Sequence, residues 1–185
     1  MEKVEEILQA IASLTPNERR RLFERLSEEF GVPAPAMEGS WANFSPHLRE
    51  EPDYLLIFDG GSYGNPGPGY GSYALLRRSD GYKRIIRLDF GNREMTNNEA
   101  EYDTLIAGLE DLLSQIAEEG REAKDLTVEV RGDSRLVINQ VKGKWHARDE
   151  RMRARRNRVW ELLGQFAGCR LTLQPREESV KVLGH

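Results

Sequence analysis

Residues 54–71 read YLLIFDGGSYGNPGPGYG, and this stretch decides the fold. Its first five residues, Tyr54 to Phe58, form a continuous apolar run, which is typical of a strand buried on both faces of a sheet. Asp59 follows directly, and the six glycines from Gly60 to Gly71 predict a glycine-rich turn. Because a carboxylate at the end of a fully apolar strand has no packing role, Asp59 is the first candidate for chemistry.

The segments that follow predict an α/β fold with one mixed sheet. The turn signal Asp80-Gly81 separates two apolar segments and indicates a β-hairpin. Residues 97–117 repeat apolar side chains at helical spacing. The predicted strands are 54–58, 73–76, 83–88, 126–130 and 170–173, and the predicted helices are 97–117, 134–142 and 149–166. This order predicts an antiparallel meander, followed by parallel strands reached through helical crossovers.

The first part of the chain predicts a separate unit. Residues 1–31 carry two amphipathic segments, and Thr15-Pro16-Asn17-Glu18 between them reads as a capping box. We therefore predict an N-terminal helical hairpin over 1–31, a linker over 32–52 that contains four prolines, and the main domain over 53–185. A hairpin of this size has no core of its own. Its apolar stripes must pack on the main domain, a second copy or a partner, and we favour a homodimer.

Composition narrows the class of protein. Of 185 residues, 38% are hydrophobic and 31% charged, and no apolar run approaches the ~20 residues of a membrane span. A single cysteine, Cys169, excludes an internal disulfide and fits a reducing, cytoplasmic location. The three histidines lack the spacing of a structural zinc site. We expect a soluble globular protein with no membrane partner.

Charge is unevenly distributed along the chain. The net charge is −4, yet residues 131–158 contain ten lysines or arginines against three acidic residues. A local basic surface can bind phosphates whatever the overall sign of the protein. The sequence therefore leaves nucleic acid open as a partner.

Three acidic residues form the candidate metal site. Asp133 ends the predicted fourth strand, and Glu101 lies in the first turns of the long helix, on the same stripe as Leu105. A right-handed crossover would bring the ends of strands one and four together, so Asp59, Glu101 and Asp133 would meet. Carboxylates without histidine or cysteine suit Mg²⁺ or Mn²⁺, and two such ions can hydrolyse a phosphodiester. The alternative is that the aspartates are turn residues and the glutamate is solvated.

Three segments resemble the motifs of a known family. DGGSYGNPGPG at 59–69, TNNEAEY at 96–102 and GDS at 132–134 are similar to the three motifs of type 1 ribonuclease H. The resemblance implies the ribonuclease H-like mixed five-stranded sheet flanked by helices, and cleavage of the RNA strand of RNA–DNA hybrids with two ions, Mg²⁺ or Mn²⁺. It places Asp59, Glu101 and Asp133 at three of the family's four catalytic carboxylates. The alternatives are a non-cleaving nucleic-acid-binding module that has lost its fourth metal ligand, and a nuclease of other substrates such as double-stranded RNA.

The resemblance also implies contacts with nucleic acid. Asn65 and Asn97 match positions that touch the hybrid backbone, Thr96 matches one that holds a DNA phosphate, and Asn98 is a weaker candidate. The further expected contacts are Gly60, Gly61, Ser134 and Trp145. Alternatives remain for several of these residues: Asn97-Asn98 as a helix cap, Trp145 as a core residue, and the arginines of 148–158 as a solvated helix face.

The sequence departs from the family near residue 183. The family pattern places an aspartate there as the fourth metal ligand, whereas the segment 175–185 reads PREESVKVLGH and has Leu183 instead. The site then uses three carboxylates, is inactive, or borrows Glu178, His185 or a terminal carboxylate. We favour His185 as the fourth metal ligand and catalytic residue, because a neutral imidazole can bind Mn²⁺.

Overall fold

The computed structural model describes residues 2–13, 22, 25, 29 and 51–184. The chain divides into two compact units, residues 1–37 and 38–185. Among the described residues, no helix combines the length and the apolar character that crossing a bilayer requires.

The first unit contains α1, Glu2–Ser13, as the amphipathic pattern predicts. Val4 and Ile7 on this helix are exposed. Leu22, Arg25 and Glu29 have helical backbone. The rest of the predicted second helix, and the predicted linker up to residue 50, lie outside the described residues.

The second unit is a five-stranded sheet flanked by helices. Its strands are β1 (Tyr54–Ser62), β2 (Gly67–Arg77), β3 (Lys83–Met95), β4 (Thr127–Gly132) and β5 (Gly168–Leu173), and its helices are α2 (Asn97–Glu118), α3 (Arg135–Val141), α4 (Glu150–Leu163) and α5 (Arg176–Leu183). A short 3-10 helix, Ala123–Asp125, precedes β4. The strand order is β3-β2-β1-β4-β5, with β1, β2 and β3 antiparallel and β4 parallel to both β1 and β5. The predicted element order and mixed sheet are confirmed.

The two faces of the sheet are covered unequally. On one face, which we call the α2 face, side chains of α2, α3 and α4 form the main core with Leu56, Phe58 and Val130. On the opposite face, the α5 face, Leu183 of the last helix packs on Leu55 and Ile57. Since successive residues of a strand point to opposite faces, Asp59 shares the α5 face with Leu55 and Ile57.

The glycine-rich segment differs from its prediction. We expected a turn over Gly60–Gly71, but most of these residues pair in β1 and β2, and the strands are joined between Ser62 and Gly67. The physical reason is close packing rather than turn geometry. A Cβ at Gly71 would lie 1.9 Å from Thr104 Oγ1, and one at Gly60 would lie 2.6 Å from the Ala100 carbonyl oxygen. These glycines let α2 approach the sheet.

The third strand is also longer than predicted. It continues past Leu88 to Met95, through a polar stretch whose composition hides its strand character. Its pairing with β2 shifts register between Pro68 and Tyr70. Because β3 runs directly into α2, this extension fixes where the helix begins.

Candidate active site

The three predicted carboxylates meet at one edge of the sheet. Asp59 lies within β1 and pairs with Ser72, Asp133 follows the end of β4, and Glu101 lies in the first turns of α2. One carboxylate oxygen from each lies within 4.8 Å of those of the other two. Asp59 is only 5% exposed, and the other two side chains are partly buried. In the part of the chain that the structure describes, this is the group of acidic side chains close enough to share a metal ion.

Close docking of α2 brings Glu101 to this edge. The Ala100 carbonyl accepts a hydrogen bond from Thr104 Oγ1 at 2.7 Å, directly above the glycines of β1 and β2. The helix begins with a capping box, in which the Glu99 amide donates to Thr96 Oγ1 and the Glu99 carboxylate accepts from the Thr96 amide. The capped start of α2 and its close packing on the glycines of the sheet together hold Glu101 beside Asp59.

Burial and the repulsion of nearby carboxylates disfavour charge on Glu101 and Asp133. Burial raises the pKa of Glu101 to about 7, and the nearby Asp133 and Asp59 add to the effect, although Ser134 Oγ donates a hydrogen bond to Glu101. Burial and the charge of Asp59 also raise the pKa of Asp133, while Arg176 at 3.9 Å opposes this. A site of oxygen ligands that repel one another fits a divalent cation, which would relieve that repulsion.

This arrangement predicts how pH affects the metal-free protein. The pKa of Glu101 is above its ordinary value of 4.5 in the folded state, so folding favours its protonated form. Its stabilising contribution is therefore present below pH 4.5 and is lost as pH rises through about 7. We expect Glu101→Gln to stabilise the metal-free protein at pH 8 by about 2 kcal/mol, and to have little effect at pH 4.

Thermal denaturation in EDTA at both pH values measures this effect. Glu118→Gln, an exposed change on the same helix, serves as the control. Equal shifts of Tm for Glu101→Gln at the two pH values would contradict the assigned pKa.

The side-chain oxygens of two asparagines at the predicted nucleic-acid interface are held by hydrogen bonds within the protein. Asn97 Oδ1 accepts hydrogen bonds from the Ser62 amide and from Ser62 Oγ, both at 2.9 Å. Asn65 Oδ1 accepts from the Asn97 amide at 3.2 Å. Both side chains are exposed. Their oxygens thus face the protein, which leaves their NH₂ groups as donors for a ligand.

The cap of α2 is Thr96 rather than Asn97 or Asn98. The alternative that the asparagines serve as the cap is therefore wrong.

Burial raises the pKa of Glu99, but the hydrogen bonds from Thr96 and the charges of Arg151 and Arg155 outweigh the effect of burial, so the net shift of the pKa is downward. Asn98 is partly buried. Thr96 has its hydroxyl engaged by Glu99 at 2.9 Å, so a bound phosphate would compete with that contact.

Other predicted contacts fall in different environments. Gly60 has a packing role under α2, and Ser134 caps α3 while it donates to Glu101. A Cβ at Gly61 would lie 2.7 Å from the hydroxyl of Tyr70. Trp145 is 49% exposed, so the alternative that it belongs to the core is wrong.

The arginines of α4 are partly committed within the protein. Arg155 contacts Asp103 at 2.7 Å and Glu99 at 3.6 Å, and Arg158 contacts Glu110 at 2.7 Å. Arg153 is exposed and has no acidic partner among the described residues. These ion pairs leave Arg155 and Arg158 less available to a substrate than Arg153.

The position of the expected fourth ligand is apolar. Leu183 is 1% exposed and packs with Leu55, Ile57 and Ala74 on the α5 face. Glu178 is exposed and paired with Lys181 at 2.6 Å, and it is not part of the acidic group. His185 lies outside the described residues. The described part of the site is therefore built on three carboxylates.

Two residues near the site were missed in the sequence. Arg176, at the start of α5, lies 3.9 Å from Asp133, and its place beside Pro175 gave no sign of this contact. Glu99 fixes Thr96, and the spacing Thr-x-x-Glu could have shown it because it is the signature of a capping box.

Comparison with known proteins agrees with this geometry. A family model described as reverse transcriptase-like matches residues 58–182. Ribonuclease HI of Halobacterium salinarum is 40% identical over 121 residues, which cover 64% of this chain and 55% of that protein. The chain thus spans about half the length of this curated relative.

Solved structures give the same result. The crystal structure of RNase H1 from Halobacterium salinarum has a TM-score of 0.56 and 36% identity, covering 70% of this chain and 90% of that one. LC11-RNase H1, solved in complex with an RNA/DNA hybrid, has a TM-score of 0.58 and 25% identity, with the same coverage of each chain. With its three motifs brought together at one sheet edge, the chain belongs to the reverse transcriptase-like family and, within it, to the type 1 ribonucleases H.

Proposed function

We propose that this protein is an endonuclease that hydrolyses the RNA strand of RNA–DNA hybrids with the help of two divalent ions, Mg²⁺ or Mn²⁺. The observation that carries the proposal is the group of Asp59, Glu101 and Asp133, whose oxygens lie within 4.8 Å of one another. A structural relative that binds an RNA/DNA hybrid supports the substrate class. The all-oxygen ligand set supports a hard cation.

The chain's own residues prepare the site for this chemistry. Asp59, Glu101 and Asp133 would hold the ions, which supply activation of water and stabilisation of the leaving oxygen. Ser134 donates to Glu101 and so fixes the direction of that carboxylate. Arg176, close to Asp133, adds positive charge where a phosphate would enter.

Neighbouring polar groups would recognise the RNA strand. The NH₂ groups of Asn65 and Asn97 are anchored through their oxygens and can donate to a sugar hydroxyl or a phosphate. Trp145 is exposed after α3, where it could lie against a sugar ring. Arg153 would neutralise a phosphate without loss of an internal ion pair.

The test is a cleavage assay with three labelled substrates. RNA–DNA hybrid, RNA duplex and DNA duplex are incubated with Mg²⁺ or Mn²⁺. We expect cutting of the hybrid's RNA strand alone, and no cutting when that strand is replaced by its 2′-deoxy equivalent. Efficient cleavage of DNA duplex would reject the proposal, and cleavage of RNA duplex alone would point to another nuclease.

The buried Leu183 favours a second candidate, a nucleic-acid-binding module that does not cleave. A leucine stands where the family has its fourth carboxylate. In that case the hybrid would bind tightly, and neither metal would produce cleavage. The same assay, read together with a binding measurement, separates the two functions.

His185 remains our candidate for the fourth metal ligand and a catalytic role. We expect His185→Ala to reduce cleavage about tenfold or more in Mn²⁺, since an imidazole suits Mn²⁺ better than Mg²⁺. Cleavage rates in both metals, with His185→Gln as a polar control, test this prediction. A variant as active as wild type in both metals would leave a three-carboxylate site.

The N-terminal hairpin over 1–31 is our candidate for self-association into a homodimer. Val4 and Ile7 expose apolar surface on α1. We expect Val4→Glu with Ile7→Glu to convert a dimer to a monomer without loss of hybrid cleavage. Light scattering measures the mass, and Glu6→Lys on the same helix is the control. A monomeric wild-type protein would contradict this prediction.

A further inference from the structure

An exposed tyrosine, Tyr63, packs on the half-buried Tyr70 near the carboxylates. Tyr63 lies in the connection between β1 and β2 and is 73% exposed. Its ring centroid lies 4.7 Å from that of Tyr70, with the two planes tilted by 38°. No described residue accepts from or donates to the Tyr63 hydroxyl. The pair therefore offers a ligand an apolar ring face together with a free hydroxyl group.

The backbone places this pair on the same face as Asp59. Gly60 faces α2, since a Cβ there would strike the Ala100 backbone. Asp59 and Gly61 therefore point to the α5 face. The Tyr70 hydroxyl would lie 2.7 Å from a Cβ at Gly61, so its ring crosses β1 at that residue. Two residues along a strand span about 6.7 Å, and this separates Gly61 from Asp59.

The loop that carries Tyr63 is fixed in position. The Tyr63 amide donates to the Pro68 carbonyl at 2.9 Å. The preceding Ser62 donates through its amide and hydroxyl to Asn97 at the start of α2. Tyr70 supports the ring from the β2 side. Tyr63 is thus an exposed ring on an anchored loop, which suits it to ligand contact without a large loss of conformational entropy.

We propose that Tyr63, backed by Tyr70, packs against a ribose of the RNA strand next to the cleaved bond and contributes to substrate affinity. The proposal rests on the proposed function, because it takes the strand at Asp59 to be RNA. Bases of an intact hybrid are paired and stacked within the duplex, so a ring outside it meets the sugar. Packing of the Tyr63 ring against a ribose would add affinity for the hybrid that does not depend on the base sequence.

The test compares three tyrosine variants in steady-state cleavage of a labelled hybrid. Tyr63→Ala should raise KM about 5- to 30-fold, the loss typical of truncating an aromatic contact residue, with kcat changed less than about twofold. Tyr63→Phe should keep KM within about threefold, since it retains the ring. Tyr82→Ala is the matched control, because Tyr82 is also exposed but lies at the opposite end of β2, under Arg77. Its KM should equal that of the wild type.

Two further measurements separate the possible failures. Tm of each variant shows whether the fold is intact, and fluorescence anisotropy in EDTA reports hybrid and DNA-duplex binding without cleavage. Tyr63→Ala should lose affinity for the hybrid and little for the DNA duplex. An unchanged KM and hybrid affinity, or equal losses for both duplexes, would overturn the proposal. If the wild type does not cleave, the proposed function fails. The hybrid affinity of Tyr63→Ala, compared with that of the wild type, still tests whether Tyr63 contacts the hybrid.

Discussion

Asp59→Asn, Glu101→Gln and Asp133→Asn are each expected to lower hybrid cleavage about 10³-fold or more. Each substitution keeps the side-chain volume but removes one charge from a group whose oxygens lie within 4.8 Å of one another. A metal ion contributes several kcal/mol of charge stabilisation to a phosphoryl transition state, and about 1.4 kcal/mol corresponds to a factor of ten in rate. Single-turnover cleavage rates at saturating enzyme measure the loss directly.

Binding should respond differently from turnover. Each amide removes a negative charge that faces the substrate's phosphates, so hybrid affinity in EDTA should stay equal or rise. Asp125→Asn, an exposed acidic residue in the 3-10 helix before β4, is the control and should retain the wild-type rate. A site variant that retains full rate shows that its carboxylate does not bind a required ion. Loss of cleavage together with a large decrease in Tm would indicate that the substituted carboxylate has a structural role.

The sheet and the carboxylate group could be predicted because their signals are local. A continuous apolar run marks β1, and alternation marks β4. Once a right-handed crossover joins these strands, Asp59 and Asp133 must lie at the same end. The position of Glu101 on the apolar stripe of α2 then completes the group. In each case one short segment and one general rule were sufficient.

The glycines of β1 and β2 were misread because their reason is not local. Gly60 and Gly71 are small so that Ala100 and Thr104 of α2 can come close, and those partners lie more than 30 residues away in sequence. From the sequence alone, a glycine that permits a turn and a glycine that permits close packing look alike. The same holds for Gly61, whose missing side chain makes room for Tyr70.

The charges of α4 show a second limit. Ten basic residues between 131 and 158 suggested a phosphate-binding surface. Arg155 is held by Asp103 and Glu99, and Arg158 by Glu110, all on α2. Ion pairs between helices depend on how the helices cross, and the linear sequence does not contain that information.

Leu183 stands where the family pattern has an aspartate, and restoring the aspartate is expected to have a large effect on stability. It is 1% exposed and, together with Leu55, Ile57 and Ala74, fills the space between α5 and the sheet. A carboxylate there would lose these contacts and lie unpaired in an apolar site. We expect Leu183→Asp to lower the free energy of unfolding of the metal-free protein by about 3–5 kcal/mol. Urea denaturation in EDTA measures the loss.

Position 183 should nevertheless lie within reach of the metal site. Leu183 packs on Ile57, which precedes Asp59 by two residues on the same face of β1. We therefore expect Mn²⁺ to restore stability to Leu183→Asp by about 1–2 kcal/mol more than to Leu183→Asn, which has the same shape but no charge. Leu183→Ala, which leaves only a cavity, separates lost packing from the buried charge. Equal stabilisation of the aspartate and asparagine variants by Mn²⁺ would show that the side chain of residue 183 does not reach the metal site. In that case the leucine at this position would not replace a metal ligand.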